Sequence, residues 1–267
     1  MKKPLRVAVV GQGRWGSRIV ATLRALPACT LTDTVGRDWQ RLLAKNLNGV
    51  VIATPSATHA RIATAFIKRG IPTFVEKPLT TSLKEAKGLL ALAKRHRVPI
   101  FVGHLHLYNQ GYLDLKKRLR TIGRVRQILT ESGGPGPIRK DTSVLWDWLP
   151  HDAALLIDLL QEAPKKVQAW SSNGVATTVM TFPSGVIAHT FHSWLLSEKR
   201  RRLTVVGTNG SLVFDDFAKN KKAAVPPLTA ELSAWLTSLR AKKNPSADFP
   251  FFLAVMQVLD AAERSAH

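Results

Sequence analysis

Three closely spaced glycines, Gly11, Gly13 and Gly16, constrain the fold of this 267-residue chain more than any other feature. They follow a short apolar run, Leu5 to Val10, that predicts a buried strand, and they open a segment, Arg14 to Leu26, whose apolar residues have helical spacing. A strand, a glycine turn and a helix in this order are typical of a dinucleotide-binding βαβ unit. The first glycine permits a tight turn, the second lets the backbone approach a pyrophosphate, and the third lets the helix pack on the strand. We therefore predict a dinucleotide site at this turn.

The pattern of elements changes along the chain. Up to residue 103, β-branched runs alternate with helical segments, which indicates a parallel sheet. From about residue 120, runs of strands are accompanied by two helices, Asp147 to Gln161 and about Phe251 to Ser265. We predict an α/β chain with an N-terminal Rossmann domain, residues 1–103, and a C-terminal α+β domain, residues 104–267, whose sheet is largely antiparallel and open-faced.

The region after the second predicted strand, Cys29 to Val35, departs from the usual dinucleotide-binding pattern. An acidic residue at the end of this strand normally binds the ribose hydroxyls, but here the strand runs into Gly36 and Arg37. Arg37, together with Arg14 in the glycine turn beside Trp15, suits a 2′-phosphate, so we expect NADP to be preferred over NAD. The alternative is that Arg37 simply opens the short helix that follows.

The charge balance favours anionic partners. Lys and Arg total 39 against 18 Asp and Glu, which gives a formal net charge of +21. A nucleic-acid-binding protein on a Rossmann scaffold is therefore one alternative, but the basic runs are scattered and include neither an aromatic RNA-binding motif nor a helix-turn-helix. We expect a solvated basic surface and no nucleic-acid partner. The basic runs are Lys116–Arg120, Lys199–Arg202, Lys219–Lys222 and Lys242–Lys243.

Other classes of protein are excluded by what the sequence lacks. A single cysteine, Cys29, rules out an internal disulfide framework and a Cys-based zinc site. Two histidine pairs, His104 with His106 and His189 with His192, have no carboxylate or cysteine to complete a metal site, and we expect none. No apolar run approaches the roughly 18 residues of a membrane span, and none has the form of a signal peptide. We expect a soluble, cytoplasmic protein.

Three further motifs occur in order along the chain. They are Ala53-Thr54-Pro55-Ser56-Ala57-Thr58-His59, Glu76-Lys77-Pro78 and Asp147-Trp148-Leu149-Pro150-His151-Asp152. Together with the glycine turn they resemble the signatures of the Gfo/Idh/MocA oxidoreductases, and the resemblance extends over nearly the whole chain. The chain is shorter than is common in that family, mainly because residues 37–48 leave room for only one short helix between the second strand and Val50.

This resemblance implies a Rossmann domain joined to an open-faced sheet domain, and NAD(P)-dependent oxidation or reduction of a sugar or cyclitol hydroxyl. It implies that Thr54, Pro55 and His59 line the cofactor site. It also implies that Glu76 belongs to the same site and that Lys77 lies beside the nicotinamide and the reacting carbon. Members of the family often bury the open sheet face by association, so a homodimer or homotetramer is expected.

The resemblance places Asp147 and His151 opposite Lys77, and their chemistry fits. Removing a hydride from a secondary alcohol requires the hydroxyl proton to leave, and His151 suits the base because its unperturbed pKa is about 6.5. Lys77 can stabilise charge on the substrate oxygen, and Asp147 can orient the imidazole or bind a substrate hydroxyl. We expect Pro150 in the first turn of this helix. Taken singly, each residue also has a purely structural interpretation. Asp147 can cap the helix, Lys77 can be a solvated loop lysine, and His151 can be an ordinary residue of the helix N-terminus.

The substrate is expected to contact residues of both halves of the chain. His104, Tyr108, Asp147 and Trp194, with the neighbouring basic run, resemble family members that act on nucleotide sugars. A sugar or nucleotide sugar is therefore the expected substrate. A non-catalytic member of the family that binds cofactor as a sensor or scaffold remains an alternative.

Overall fold

The computed structural model describes residues 3–218, 225–241 and 246–266, so that the basic runs at 219–222 and 242–243 lie outside the described residues. The chain divides into two compact units. The first comprises Met1–Leu105 and Pro226–Leu253, and the second comprises His106–Val225 and Ala254–His267. None of the described helices is long and apolar enough to cross a bilayer.

The first unit is built on a five-stranded, wholly parallel sheet with the strand order β2-β1-β3-β4-β5. Its strands are β1 (Leu5–Val10), β2 (Cys29–Val35), β3 (Gly49–Ile52), β4 (Thr73–Glu76) and β5 (Ile100–Gly103). Its helices, numbered along the chain, are α1 (Arg14–Ala25), α2 (His59–Lys68), α3 (Leu83–His96), α6 (Pro227–Arg240) and the first residues of α7 (Phe249–Ser265). The strand order reverses at β1, which is where open parallel sheets bind ligands.

The core of the first unit forms because its central strands are buried on both faces. Every residue of β3 and β4 is buried, as is typical of parallel strands covered by helices on both sides. Trp235 of α6 packs into this core with Val7, Ile19 and Phe74. A Cβ atom on Gly49 would lie 2.8 Å from the Trp235 ring, so a glycine is needed where α6 meets the start of β3.

The connection between β2 and β3 is as short as the sequence predicts. It contains a single 3-10 helix, Trp39–Ala44, whose buried Trp39 and Leu42 attach it to the core. At the start of α3, Ser82 and Glu85 have the residue types of a capping box, and the Ser82 hydroxyl accepts a hydrogen bond of 3.2 Å from the Glu85 backbone amide.

The second unit contains a six-stranded sheet with the order β11-β10-β6-β9-β8-β7. Its strands are β6 (Val125–Pro135), β7 (Lys166–Ser172), β8 (Val175–Thr181), β9 (Ile187–Ser193), β10 (Leu195–Gly207) and β11 (Gly210–Asp215). All neighbours are antiparallel except β6 and β9. Its helices are α4 (Gln110–Arg118), α5 (Val144–Leu160) and the remainder of α7. The predicted fold class, a parallel sheet followed by a largely antiparallel one, is confirmed.

One face of this second sheet packs on α5, and the other carries exposed apolar side chains. The buried face includes Ile128, Ala188 and Leu203, which alternate along their strands with outward-pointing residues. On the opposite face Leu129 is 44% exposed and Ile187 is 41% exposed. We call this second surface the open sheet face; it also includes Trp170 and Val213.

Several predictions of the local structure were wrong. Helix α5 begins at Val144 with Ser143 as its cap, so Pro150 lies well inside the helix instead of in its first turn. Proline has no N–H, and α5 therefore lacks the bond that this residue would donate one turn back. Helices α4 and α6 were not predicted. The basic run Lys116–Arg120 overlaps the end of α4, and α6 follows a Lys- and Pro-rich stretch of sequence.

The basic run Lys199–Arg202 lies within β10 and alternates between the two faces of the sheet. Arg201 is buried, whereas Arg200 and Arg202 are exposed. This alternation follows from the two-residue period of a strand. Neither His104 nor His106 lies on a strand, because β5 ends at Gly103, and His106 lies in a 3-10 turn, Leu105–Tyr108.

Candidate active site

The glycine turn has two positions that the fold requires and one that it does not. A Cβ atom on Gly11, which has φ +131°, would lie 2.3 Å from the Ala53 carbonyl oxygen, and one on Gly16 would lie 2.2 Å from the Gly11 carbonyl oxygen. At Gly13 a Cβ atom would meet no described heavy atom within 4 Å. Gly13 therefore leaves open space at the carboxyl end of β1.

The N-terminus of α1 faces this space. Gly13 is the cap residue, no described side chain accepts a hydrogen bond from the first turn, and that turn contains no acidic residue. Uncapped backbone N–H groups and the helix dipole together attract an anion. The turn thus fits the pyrophosphate of a dinucleotide, and exposed Arg14 adds a positive charge beside it.

At the end of β2 the carboxylates are paired with cations, whereas Arg37 is not. The Asp38 carboxylate accepts from Arg41 at 2.9 Å, and Asp33 contacts both Arg41 and Lys45. Arg37 is exposed, and none of the described carboxylates forms an ion pair with it. An unpaired guanidinium at this position suits a phosphate group more than a neutral ribose hydroxyl.

His59 joins the loops that follow β3 and β4. Its Nε2 lies 2.9 Å from the Thr54 carbonyl oxygen and its Nδ1 lies 2.9 Å from the Pro78 carbonyl oxygen. Burial lowers the pKa of the imidazole, and the two carbonyl oxygens act against that change. His59 is 1% exposed, so it fixes the backbone near Thr54 and exposed Pro55 from behind.

A buried polar cluster follows β4 and β5. Burial raises the pKa of Glu76 to about 7, although the Trp15 indole and Lys77 both act to lower it. Burial, assisted by the charge of Lys77, lowers the pKa of His104 to about 3, so the imidazole is neutral at physiological pH. Half-buried Lys77 precedes a cis peptide bond to Pro78. This cation therefore lies at the carboxyl edge of the sheet beside one neutral and one weakly acidic group.

In the second unit, His151 lies on α5 and is 8% exposed. Its ring packs edge-on against the ring of His106, with 4.8 Å between the centroids. His106 Nδ1 in turn lies 3.8 Å from an oxygen of Asp216, and Asn109 donates a hydrogen bond to the other oxygen. Half-buried Tyr108 belongs to the same 3-10 turn as His106.

Asp147 lies one turn before His151 on the same helix. Its carboxylate accepts a hydrogen bond of 2.9 Å from the Trp194 indole and one of 3.3 Å from Arg139. Arg139 also donates to Asp141, whose hydrogen bond and charge raise the pKa of the guanidinium. Arg139 could not be recognised from the sequence, because an arginine in a Gly/Pro-rich loop belongs to no distinctive pattern.

The residue after His151 anchors the helix to the sheet. The Asp152 carboxylate accepts hydrogen bonds of 2.9 Å from both Thr130 and Ser132, and Arg201 approaches at 3.3 Å. All four side chains are buried. A charge with several donors is stable inside a protein, so this network holds the helical turn that carries His151.

The structure groups the predicted site residues by unit. Gly11, Thr54, Lys77 and His104 follow four parallel strands and lie at the carboxyl edge of one sheet. Asp147, His151 and Trp194 belong to the second unit. Within the described residues, no group of three or more His, Cys, Asp or Glu side chains could hold a metal ion.

A parallel sheet with a glycine turn at its switch point, joined along the chain to an open-faced sheet unit, defines a Rossmann-type dinucleotide-binding protein. Two family models match the chain. The model described as "Oxidoreductase family, NAD-binding Rossmann fold" matches residues 21–104, and the "GFO/IDH/MocA C-terminal domain" matches residues 112–213. The chain belongs to the Gfo/Idh/MocA family.

Individual relatives agree with this assignment. The chain is 30% identical over 173 residues to the myo-inositol dehydrogenase Hyg17 of Streptomyces leeuwenhoekii, a match that covers 55% of this chain and 53% of the relative. It is 27% identical over 170 residues to a UDP-N-acetylglucosamine 3-dehydrogenase of Acidithiobacillus ferrooxidans, covering 61% and 54%. The chain thus spans about half the length of these curated relatives.

A solved structure matches over its whole length. It is a putative oxidoreductase from Magnetospirillum magnetotacticum MS-1, with a TM-score of 0.90 and 30% identity, and the match covers 97% of this chain and 100% of that one. The two proteins therefore share the same fold over nearly their whole lengths.

Proposed function

We propose that this protein is an NAD(P)-dependent oxidoreductase that transfers a hydride between the nicotinamide and a carbon of a sugar, cyclitol or nucleotide sugar. The observation that carries the proposal is the cradle at the carboxyl edge of the parallel sheet. There, the open space at Gly13 and the uncapped N-terminus of α1 accept a pyrophosphate, and Lys77 follows a strand of the same edge. Both curated relatives named above are dehydrogenases of such substrates.

The polar residues divide the chemistry between them. When bound, the nicotinamide accepts or donates the hydride. His151 takes the hydroxyl proton in the direction of oxidation and returns it in the direction of reduction. Lys77 stabilises the developing negative charge on the substrate oxygen through its ammonium group. Asp147, held by Trp194 and Arg139, binds a substrate hydroxyl or orients the imidazole.

Two features favour a phosphate-bearing substrate. The net charge of +21 raises the local concentration of anions. One curated relative is named a UDP-N-acetylglucosamine 3-dehydrogenase. Of the residues expected to contact a sugar, His104 and Trp194 are almost fully buried, and half-buried Tyr108 offers ring surface for stacking. A nucleotide sugar is therefore the substrate class to test first, followed by inositols.

Arg37 is proposed to select NADP over NAD. It is exposed, unpaired by the described carboxylates, and follows the strand end at which an acidic residue would otherwise bind the ribose. Replacing it with alanine should remove the preference without abolishing binding, because the pyrophosphate contacts remain.

The open sheet face is proposed to mediate self-association. Leu129, Ile187, Trp170 and Val213 are each more than 40% exposed on one side of the sheet. Large apolar side chains exposed on one face of a sheet are often buried by a partner, and a homodimer or homotetramer would cover them.

The first experiment is a fluorescence titration of NADPH and NADH into the purified protein, with Gly13→Asp as the control. We expect tighter binding of NADPH, and loss of both nucleotides in the variant because a carboxylate would occupy the phosphate position. Binding of neither nucleotide at about 1 mM would contradict the proposal and favour a polyanion-binding role.

A second experiment separates an enzyme from a sensor. The protein is incubated with oxidised cofactor and a nucleotide sugar or inositol deuterated at the carbinol carbon. Deuterium in the reduced nucleotide is the expected result. Tight cofactor binding without transfer to any substrate of either class would instead support a non-catalytic member of the family.

A further inference from the structure

Two carboxyl groups are buried together at the carboxyl edge of the first sheet. Glu76 ends β4 and is 7% exposed, and Glu231 lies on α6 and is 0% exposed. They are close enough for the charge of Glu76 to raise the pKa of Glu231. Both carboxyl groups border the end of β5 and the residue after it. A Cβ atom on Gly103 would lie 3.1 Å from Glu76 Oε1, and the His104 backbone amide acts to lower the pKa of Glu231.

Neither carboxyl group has enough hydrogen-bond donors for a buried charge. Among the described residues, neither oxygen of Glu231 forms a hydrogen bond of good geometry, and neither does Oε1 of Glu76. A buried carboxylate without donors is unstable and takes up a proton. A protonated carboxyl group, in contrast, is itself a donor that can satisfy a neighbouring oxygen.

None of the other described groups around the pair supplies a counter-charge to Glu231. His104 is neutral because burial lowers the pKa of its imidazole to about 3. The positive charge of Lys77 lowers the pKa of both Glu76 and His104, and the Trp15 indole lies near Glu76 without a hydrogen bond of good geometry. Burial raises the pKa of Glu231 well above its usual value, and Glu76 adds to the rise. Two interacting carboxyl groups in this setting hold their protons as a pair.

We propose that Glu231 is a positioning residue for Lys77: it remains protonated at neutral pH and donates its proton in a hydrogen bond to Glu76. The pair then carries no more than one negative charge beside Lys77, and Glu76 is held in one orientation at the end of β4. The effect on turnover rests on the proposed function, but the protonation of Glu231 does not.

The protonation can be tested without any activity. The variants are Glu231→Gln, which keeps the shape and a donor, and the control Glu85→Gln, an exposed position on α3 where glutamine also suits the capping box. At pH 8 the infrared spectrum of the wild type should contain the carbonyl band of a protonated carboxylic acid. The band should persist in Glu85→Gln and be lost in Glu231→Gln.

Unfolding by urea gives a second, independent measurement. A folded-state pKa above the unfolded value means that the native protein keeps a proton that the unfolded chain releases, so stability falls as pH rises above about 4.3. Relative to Glu231→Gln, the wild-type unfolding constant should increase about tenfold for each pH unit between about 5 and 8. If the stabilities of the wild type and Glu231→Gln depend on pH in the same way, or if both proteins give the same infrared band, Glu231 is ionised and the proposal is overturned.

The positioning role is tested with Glu231→Leu, which removes the donor. We expect a kcat at least tenfold lower with little change in KM, and recovery of kcat in Glu231→Gln, because glutamine restores a neutral donor to Glu76. Equal kcat in all three proteins would refute positioning even if the infrared band is assigned to Glu231. If no substrate is turned over by the wild type, the proposed function fails while the spectroscopic and unfolding results still decide the protonation.

Discussion

The indole Nε1 of Trp194 donates a 2.9 Å hydrogen bond to an oxygen of Asp147. Trp194 lies between β9 and β10, and Asp147 lies on α5, so the bond joins residues 47 positions apart. The second Asp147 oxygen accepts from Arg139. Two donors from different segments therefore fix the carboxylate in the turn before His151.

Replacement of Trp194 with phenylalanine should impair turnover more than stability. The ring volume is largely kept, but Asp147 loses a hydrogen bond to a charged group, which is worth about 1.5–3 kcal/mol. We expect kcat/KM to fall by about ten- to a hundredfold, measured with the best substrate found. The matched control is Trp170→Phe, at an indole that is 48% exposed. Equal losses in both variants would contradict a specific role for the bond to Asp147.

Substitutions at two glycines of the turn should affect different properties, nucleotide binding at Gly13 and folding stability at Gly11. Gly13→Ala adds a methyl group where the described chain leaves open space, so it should cost about 1 kcal/mol or less of unfolding free energy while weakening dinucleotide binding at least tenfold. Gly11→Ala forces a clash with the Ala53 carbonyl oxygen at a positive φ and should cost several kcal/mol. Urea unfolding and nucleotide titration measure the two effects.

Gly88→Ala is the control for both glycine variants. Gly88 is an exposed helical residue, and a Cβ atom there would have no described atom within 4 Å. It should leave nucleotide binding unchanged and stabilise the helix slightly. Tight nucleotide binding by Gly13→Ala would place the pyrophosphate elsewhere.

The buried His192 should make the protein sensitive to acid. Burial lowers the pKa of its imidazole to about 4, against an unfolded value of about 6.5, and the charge of Asp152 opposes this shift. Between these two pH values the unfolded chain binds more protons than the native protein. As far as His192 is concerned, the free energy of unfolding is therefore greatest above about pH 6.5 and declines toward pH 4. The decline due to this group is about 3 kcal/mol.

The measurement is urea unfolding of the wild type and His192→Asn from pH 4 to pH 7. The variant should lose less stability on acidification, whatever its absolute stability at pH 7. His189→Asn, on the other face of the same strand, is the control. An identical pH dependence of wild type and His192→Asn would mean that His192 is protonated in the folded protein.

The open sheet face should be sensitive to charge if it is an interface. Leu129→Arg and Ile187→Glu each place a charge among exposed apolar side chains, and burying an unpaired charge at an interface is costly. Light scattering coupled to size-exclusion chromatography should show a smaller assembly for both variants. Thr121→Arg, at an exposed position outside the sheet, should behave as the wild type. A wild-type monomer would refute the proposed association.

Local patterns predicted most of the architecture. The Gly11–Gly16 turn and the first two strands, Leu5–Val10 and Cys29–Val35, are found where the sequence places them. Such features depend on neighbouring residues: a glycine permits a turn and an apolar run requires burial. The start of α5 was mispredicted because proline is most often found in the first turn of a helix. In the folded protein, α5 instead begins at Val144, and Pro150 lies inside it.

By itself, the sequence determined the alternation of strands and helices in the first half of the chain, the dinucleotide turn and the identity of the polar residues at the carboxyl ends of the strands, but it did not determine helices α4 and α6. Tertiary structure alone decided what those polar groups contact. Glu231 lies more than 150 positions after Glu76 in the printed sequence, and Arg139 and Trp194 reach Asp147 from separate segments. Contacts between distant residues depend on how helices and strands pack, and burial in that packing sets the protonation of Glu76, His104 and Glu231.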